Sequence, residues 1–252
     1  MSENERQQNE KEELALEKVK SIIDYHLEND ANARNCNLVN EIRKILDRLK
    51  PNPQSNDFPD FVMSNGYLEH FAVTSSKENR KGAEHIAKKK KFDEASTKIQ
   101  RELSSDRPFV KHSFRYPQHS HEYLFSSIRK NVGSHLDRLK DFDGSKELGI
   151  FLIEYTEDQA LSMGEHITNK KDKRFGNPNI LSSYILGKDK KVLEWFYQYK
   201  EQLKFLIILK SRGIEIIPTA EIPKILKKLP YEYMIAPNIG SVETEIYSHI
   251  QF

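Results

Sequence analysis

Two acids on either side of a short turn are the residues of this chain best suited to chemistry. Residues 59–73 read Pro-Asp-Phe-Val-Met-Ser-Asn-Gly-Tyr-Leu-Glu-His-Phe-Ala-Val. Apolar runs flank Ser64-Asn65-Gly66, and Asn-Gly between such runs is a strong hairpin signal. Asp60 opens the first strand and Glu69 lies in the middle of the second. On antiparallel strands joined by so short a turn, the two carboxylates are expected close together on one face. Paired hard oxygen donors suit Mg²⁺ or Mn²⁺. Each acid also has a plainer reading. Asp60 after Pro59 can open a strand and satisfy turn amides. Glu69 is harder to explain that way. Strand alternation sets it on the face of Tyr67 and Phe71, and an acid buried there without a partner is costly.

The elements that must position these acids follow from periodicity. Met1 to Glu13 is polar and acidic, does not read as a signal peptide, and is expected to be a frayed tail. Leu14, Leu16, Val19, Ile22, Ile23 and Leu27 recur at helical spacing, as do Leu38, Val39, Ile42, Ile45, Leu46 and Leu49. Pro51 and Pro53 end the second helix. Beyond the hairpin, helices are expected over 76–103, 119–139, 192–203 and 222–229, with a loop over 104–118 and a basic loop over 170–178. Strands are expected over 148–155, 205–209 and 214–217. This order predicts an α/β fold with a mixed central sheet flanked by helices. It divides the chain into a tail, 1–13, an N-terminal helical segment, 14–50, and an α/β domain, 51–252.

The 252 residues are 31 % charged, 37 % hydrophobic and 10 % aromatic, which excludes a wholly disordered chain. Net charge is only +2, but it is unevenly spread. Residues 77–91 carry seven basic residues against two acids, and so do residues 168–191. Such islands suit a phosphate-binding face, and equally suit solvated helix faces. Lys111, His112, Phe114, Arg115 and Tyr116 interleave cations with aromatics, a pattern that suits nucleic acid. His112, His119 and His121 raise a zinc reading, set aside because no cysteine is near. Cys36 is the only cysteine, which agrees with a reducing cytoplasm. No apolar run approaches the ~20 residues that span a bilayer, so no membrane role is expected. Gly-rich phosphate loops, nucleophile elbows and Cys-x-x-Cys pairs are absent.

Pro-Asp-Phe, a short turn, then Tyr-Leu-Glu-His-Phe resembles the core hairpin of the PD-(D/E)xK nuclease superfamily. It is similar in particular to nuclease-like domains attached to some DNA helicases. The resemblance covers residues 38–110 and implies a restriction-endonuclease-like core that hydrolyses phosphodiester bonds in DNA with Mg or Mn. It implies that Asp60 and Glu69 are catalytic and hold the metal, with Glu41 on the preceding helix as an outer ligand. The family pattern places a lysine two residues after the second acid, where this chain has Phe71. Some members take that lysine from the following helix. Lys90, on the stripe of Ala83, Ile86 and Ala87, is the favoured candidate, with Lys81 and Lys77 as alternatives. Lys77, Arg80, Lys81, Lys88, Lys91, Lys111 and Arg115 are the expected DNA contacts. Two other readings stand beside this one. The chain is a nuclease-like protein that binds nucleic acid without cutting it, or it is an interaction module whose N-terminal helices take a protein partner.

Overall fold

The computed structural model describes residues 3–53, 58–76, 94, 97, 109–115, 118–229, 232–238 and 243–249, with the backbone alone for 4, 5, 109–115 and 243–249. Helices α1 (Glu3–Asn29), α2 (Ala31–Arg34) and α3 (Asn37–Leu46) come first. A six-stranded sheet follows, made of β1 (Lys50–Pro51), β2 (Phe61–Met63), β3 (Gly66–Ala72), β5 (Leu148–Tyr155), β8 (Phe205–Lys210) and β9 (Gly213–Pro218), adjacent in that order. β3, β5 and β8 run parallel, and the pairings at either edge are antiparallel.

Strand β5 explains the layers. Ile150, Phe151, Leu152 and Ile153 are all fully buried. Side chains alternate across a strand, so this run needs apolar cover on both faces. Ile150 and Leu152 join a core with Val19 and Ile23 of α1 and Ile42 and Leu46 of α3. Phe151 and Ile153 join a second core with α4 (His121–Asp141), α5 (Lys190–Tyr197) and α6 (Ile222–Lys228). The result is the expected mixed sheet between helical layers. The N-terminal helices form one of those layers and share the core of the sheet. Residues 3–13, expected as a tail, are the first turns of α1.

Two buried polar networks fix α4 on its face. Ser120 caps the helix, its Oγ accepting from the Tyr123 N–H at 3.1 Å. Asp189 caps α5 through the Val192 N–H at 3.2 Å. The same carboxylate accepts from Tyr184 at 2.7 Å and lies 2.6 Å from the His121 ring. At the end of β3, Glu157 accepts from the Ser75 N–H at 2.9 Å and from Thr74 Oγ1 at 2.8 Å, while Ser75 Oγ meets His119 at 2.8 Å. His119 and His121 therefore serve the scaffold; the His112 side chain lies outside the described residues.

Five strands outside the central sheet were not anticipated. The expected loop 104–118 contains β4 (Phe109–Arg115), paired antiparallel with β11 (Glu243–His249). A three-stranded sheet, β10-β6-β7, joins β6 (Leu161–Glu165), β7 (Ile180–Leu181) and β10 (Tyr233–Pro237). Of the expected helix 76–103, Glu94 and Thr97 are helical, and Ser76 makes an isolated bridge with His119. The helix expected over 192–203 ends at Tyr197 and gives way to turns.

The hairpin turn forms for a reason different from the one the sequence suggests. Met63 pairs with Gly66 around Ser64-Asn65, and among the described residues no non-glycine residue has positive φ. Gly66 is needed instead by its neighbour, because a Cβ there would meet the Leu148 carbonyl oxygen at 2.2 Å. Gly66→Ala is expected to lower stability by about 1–3 kcal/mol, since backbone must shift to admit the methyl. Gly164→Ala is the control: nothing lies within 4 Å of its Cβ position. Thermal unfolding of both variants checks this, with Gly164→Ala near wild type.

Candidate active site

The β2–β3 ladder pairs Phe61 with Leu68. Carried one residue further, the register sets Asp60 opposite Glu69, and opposed residues of an antiparallel pair share a face. The two acids then lock the hairpin reciprocally. The Asp60 N–H donates to Glu69 Oε2 at 3.0 Å, and the His70 N–H donates to Asp60 Oδ2 at 2.7 Å. Both carboxylates are thus aimed by backbone amides rather than left to rotate.

They line one polar pocket of about 210 Å³ together with Glu12, His135 and Arg138. Pro51, Asn52 and Phe58 form another part of its wall. Glu12 comes from α1, where it is 9 % exposed and accepts from Gln8 Nε2 at 2.6 Å. His135 and Arg138 come from α4. His135 stacks on Phe71 with ring centroids 4.8 Å apart, and its Nδ1 lies 2.5 Å from Glu69 Oε1. Phe71, where the resemblance expects a lysine, seats an imidazole against the second acid. On the opposite face of β3, His70 Nε2 lies 3.4 Å from Glu154 Oε2, and its buried Nδ1 has no hydrogen-bond partner. Glu154 is held below the ordinary carboxylate range by His70.

Electrostatics make this site costly to fold with its charges exposed to one another. Burial pushes the Asp60 carboxyl well above the ordinary carboxylate range, and the Glu69 and Glu12 charges push the same way. Burial raises Glu69 as well, partly offset by the Asp60 N–H. His135 is pushed down to about 4, by burial first and by the Arg138 charge second. The pocket at neutral pH holds protonated or cation-seeking acids beside a neutral imidazole. Among the described residues, no three His, Cys, Asp or Glu side chains are already grouped as a metal site.

Of the expected site residues, Asp60 and Glu69 are brought together. Lys77, Arg80, Lys81, Lys88, Lys90 and Lys91 lie outside the described residues. Lys111 and Arg115 lie on β4, in the two-stranded sheet with β11 rather than in the strand ladder that carries the acids. Glu41 is exposed on α3 and does not line the pocket. Glu12, His135 and Arg138 were not expected. Two of them carried a signal: Glu12 shares a helical stripe with Ala15, Leu16 and Val19, and His135 shares one with Ile128, Val132 and Leu139. A polar residue on an apolar stripe needs a partner, and each has one in the pocket.

A pH test of stability follows. In the unfolded chain Asp60 and Glu69 ionise near pH 4, whereas the fold holds their protons to higher pH. The folded state then binds more protons than the unfolded one, so stability falls as pH rises from about 4 through the raised range. His135 acts oppositely, but only between about pH 4 and 6.5, below which the unfolded imidazole is charged. Above that window, in chelator, unfolding free energy is expected to fall with rising pH. Asp60→Asn should flatten the fall and be the more stable protein at the alkaline end. Denaturant titrations at several pH values check this; parallel curves for the two proteins would contradict it.

Among the described residues, no helix is long and apolar enough to cross a membrane. No family model matches the chain, and no curated protein or solved structure matches it either.

Proposed function

We propose that the chain is a metal-dependent nuclease that hydrolyses phosphodiester bonds in DNA, built on a restriction-endonuclease-like core. The observation that carries this reading is the convergence of Asp60, Glu69 and Glu12 in one pocket, with His135 and Arg138 beside them. The strand order supports it too: a hairpin bearing both acids continues into a parallel strand behind a covering helix.

The donor set fits a hard divalent cation. Three carboxylates share a partly desolvated pocket, and mutual repulsion together with burial calls for positive charge there. Asp60 and Glu69 would hold Mg²⁺ or Mn²⁺, with Glu12 as a third oxygen donor. Bound there, the ion supplies Lewis-acid polarisation of a phosphoryl oxygen and acidifies bound water. The chain does the rest. Its backbone amides aim the two acids. Arg138 offsets the charge of an incoming phosphate. His135, neutral at physiological pH, packs against Glu69 Oε1 and limits how that carboxylate can turn. It stands beside the acid near which the resemblance expects a lysine; Lys90, the lysine favoured from the sequence, lies outside the described residues.

One observation favours a second reading, a nuclease-like protein that binds without cutting. Each acid already spends an oxygen on a backbone amide, and Glu69 spends another on His135.

Cleavage assays on linear duplex and single-stranded DNA, with Mg²⁺ or Mn²⁺, decide between them. Asp60→Asn and Glu69→Gln are each expected to cut at least about 10²-fold more slowly than wild type, the scale of losing one electrostatic group at the reacting centre. Calorimetry should show weaker Mn²⁺ binding by both variants. Wild type that binds DNA yet cuts neither substrate with either metal would favour the binder.

A further inference from the structure

Within the basic stretch 168–191, three of the seven cations are already engaged. Lys188 sits over the Tyr233 ring at 5.4 Å, and Lys191 sits over Phe125 at 4.9 Å. Arg174 is tied down most firmly. It donates to Asp172 through Nε at 3.2 Å and Nη2 at 3.1 Å, and to Glu165 Oε2 through Nη1 at 3.2 Å. Glu165 is held in turn by Asn179, whose Nδ2 donates to it at 3.2 Å. Its guanidinium braces the β6–β7 loop from inside.

The same loop is shaped by its own backbone. The Lys171 N–H donates to Asn169 Oδ1 at 2.9 Å, and the Phe175 N–H donates to the Asp172 carbonyl at 2.9 Å. Asn177 closes the last turn on the Arg174 carbonyl at 2.8 Å, across Gly176 at φ +85°. Lys170, Lys171 and Lys173 are exposed, and no described side chain pairs with their ammonium groups. Phe175 projects beside them, 46 % exposed. An unpaired cation trio costs little in water, but a phenyl ring on a braced loop keeps nearly half of its surface in water. Cations that can reach phosphates, next to a half-exposed ring that can stack on a base, are the chemistry of nucleic-acid binding.

We propose that the β6–β7 loop is a nucleic-acid contact in its own right, with Lys170, Lys171 and Lys173 on backbone phosphates and Phe175 stacked on a base. It goes beyond the cleavage reading, because it requires no metal and no Asp60 or Glu69. The lysines supply salt-dependent affinity and Phe175 supplies a contact that salt does not screen. Bracing by Arg174 orders the loop before binding, so little ordering entropy is lost.

Fluorescence anisotropy with labelled single-stranded and duplex DNA, in chelator, tests the loop apart from cleavage. Wild type should bind, with log K falling linearly in log salt. Replacing Lys170, Lys171 and Lys173 by Ala together should lower the slope by about 2–3. Phe175→Ala should weaken binding about fivefold or more without changing the slope. A larger Phe175 effect on single strands identifies an unpaired base as the partner; an equal effect on both identifies a wedge at a duplex step. Thermal midpoints equal to wild type, expected for four exposed positions, secure the comparison. The proposal falls if the triple variant keeps the wild-type affinity and slope, or if wild type ignores both DNAs while binding phosphatidylserine vesicles. Loop-dependent binding without any cleavage would instead sink the nuclease reading and leave this one intact.

Discussion

The parallel pairing of β5 with β3 on one side and β8 on the other is the constraint from which the molecule follows. A strand buried on both faces cannot stand without two helical layers. Those layers here are α1 with α3, and α4 with α5 and α6. Placing α4 over β3 brings His135 down onto Phe71 and Glu69. Laying α1 across the other layer brings Glu12 to the pocket. The candidate centre is therefore assembled by the same packing that hides Ile150 to Ile153 from water.

Burying two acids side by side works against folding unless something neutralises them. The hairpin does part of this by letting each carboxylate accept a backbone N–H across the strands. What remains is a stored preference for a cation or for protons, directed at one pocket wall. Sites of this kind trade stability for readiness, since their geometry is maintained by the scaffold rather than by the ligand.

How much of this could be read from residues alone depends on range. Asp60 and Glu69 are nine positions apart on a hairpin that local signals define, so their convergence was legible. Strands 148–155 and 205–209 were legible because unbroken apolar runs of that length have few other fates. Gly66 was legible as a turn residue, yet Leu148, far along the chain, is what demands it. Glu12 and His135 stood out only as polar residues on apolar stripes; that they and Arg138 meet at the pocket depends on helix packing, which no local pattern encodes. β4 was taken for a loop because Phe109 to Arg115 mixes cations with aromatics and its partner strand lies near the end of the sequence. β6, β7 and β10 were missed for a similar reason, since β6 meets β10 across some seventy residues.

The pairing of β4 with β11 has a consequence for how the chain is made. More than a hundred residues separate the two strands, and six of the nine other described strands come out of the ribosome between them. Until Glu243 to His249 emerge, β4 has an open edge of unsatisfied amides and carbonyls. Translation at ~5–20 residues per second leaves that edge waiting for several seconds. During that interval the nascent polypeptide is at its most adhesive, and holdase chaperones or a sister chain on the same polysome would compete for the position that β11 finally takes.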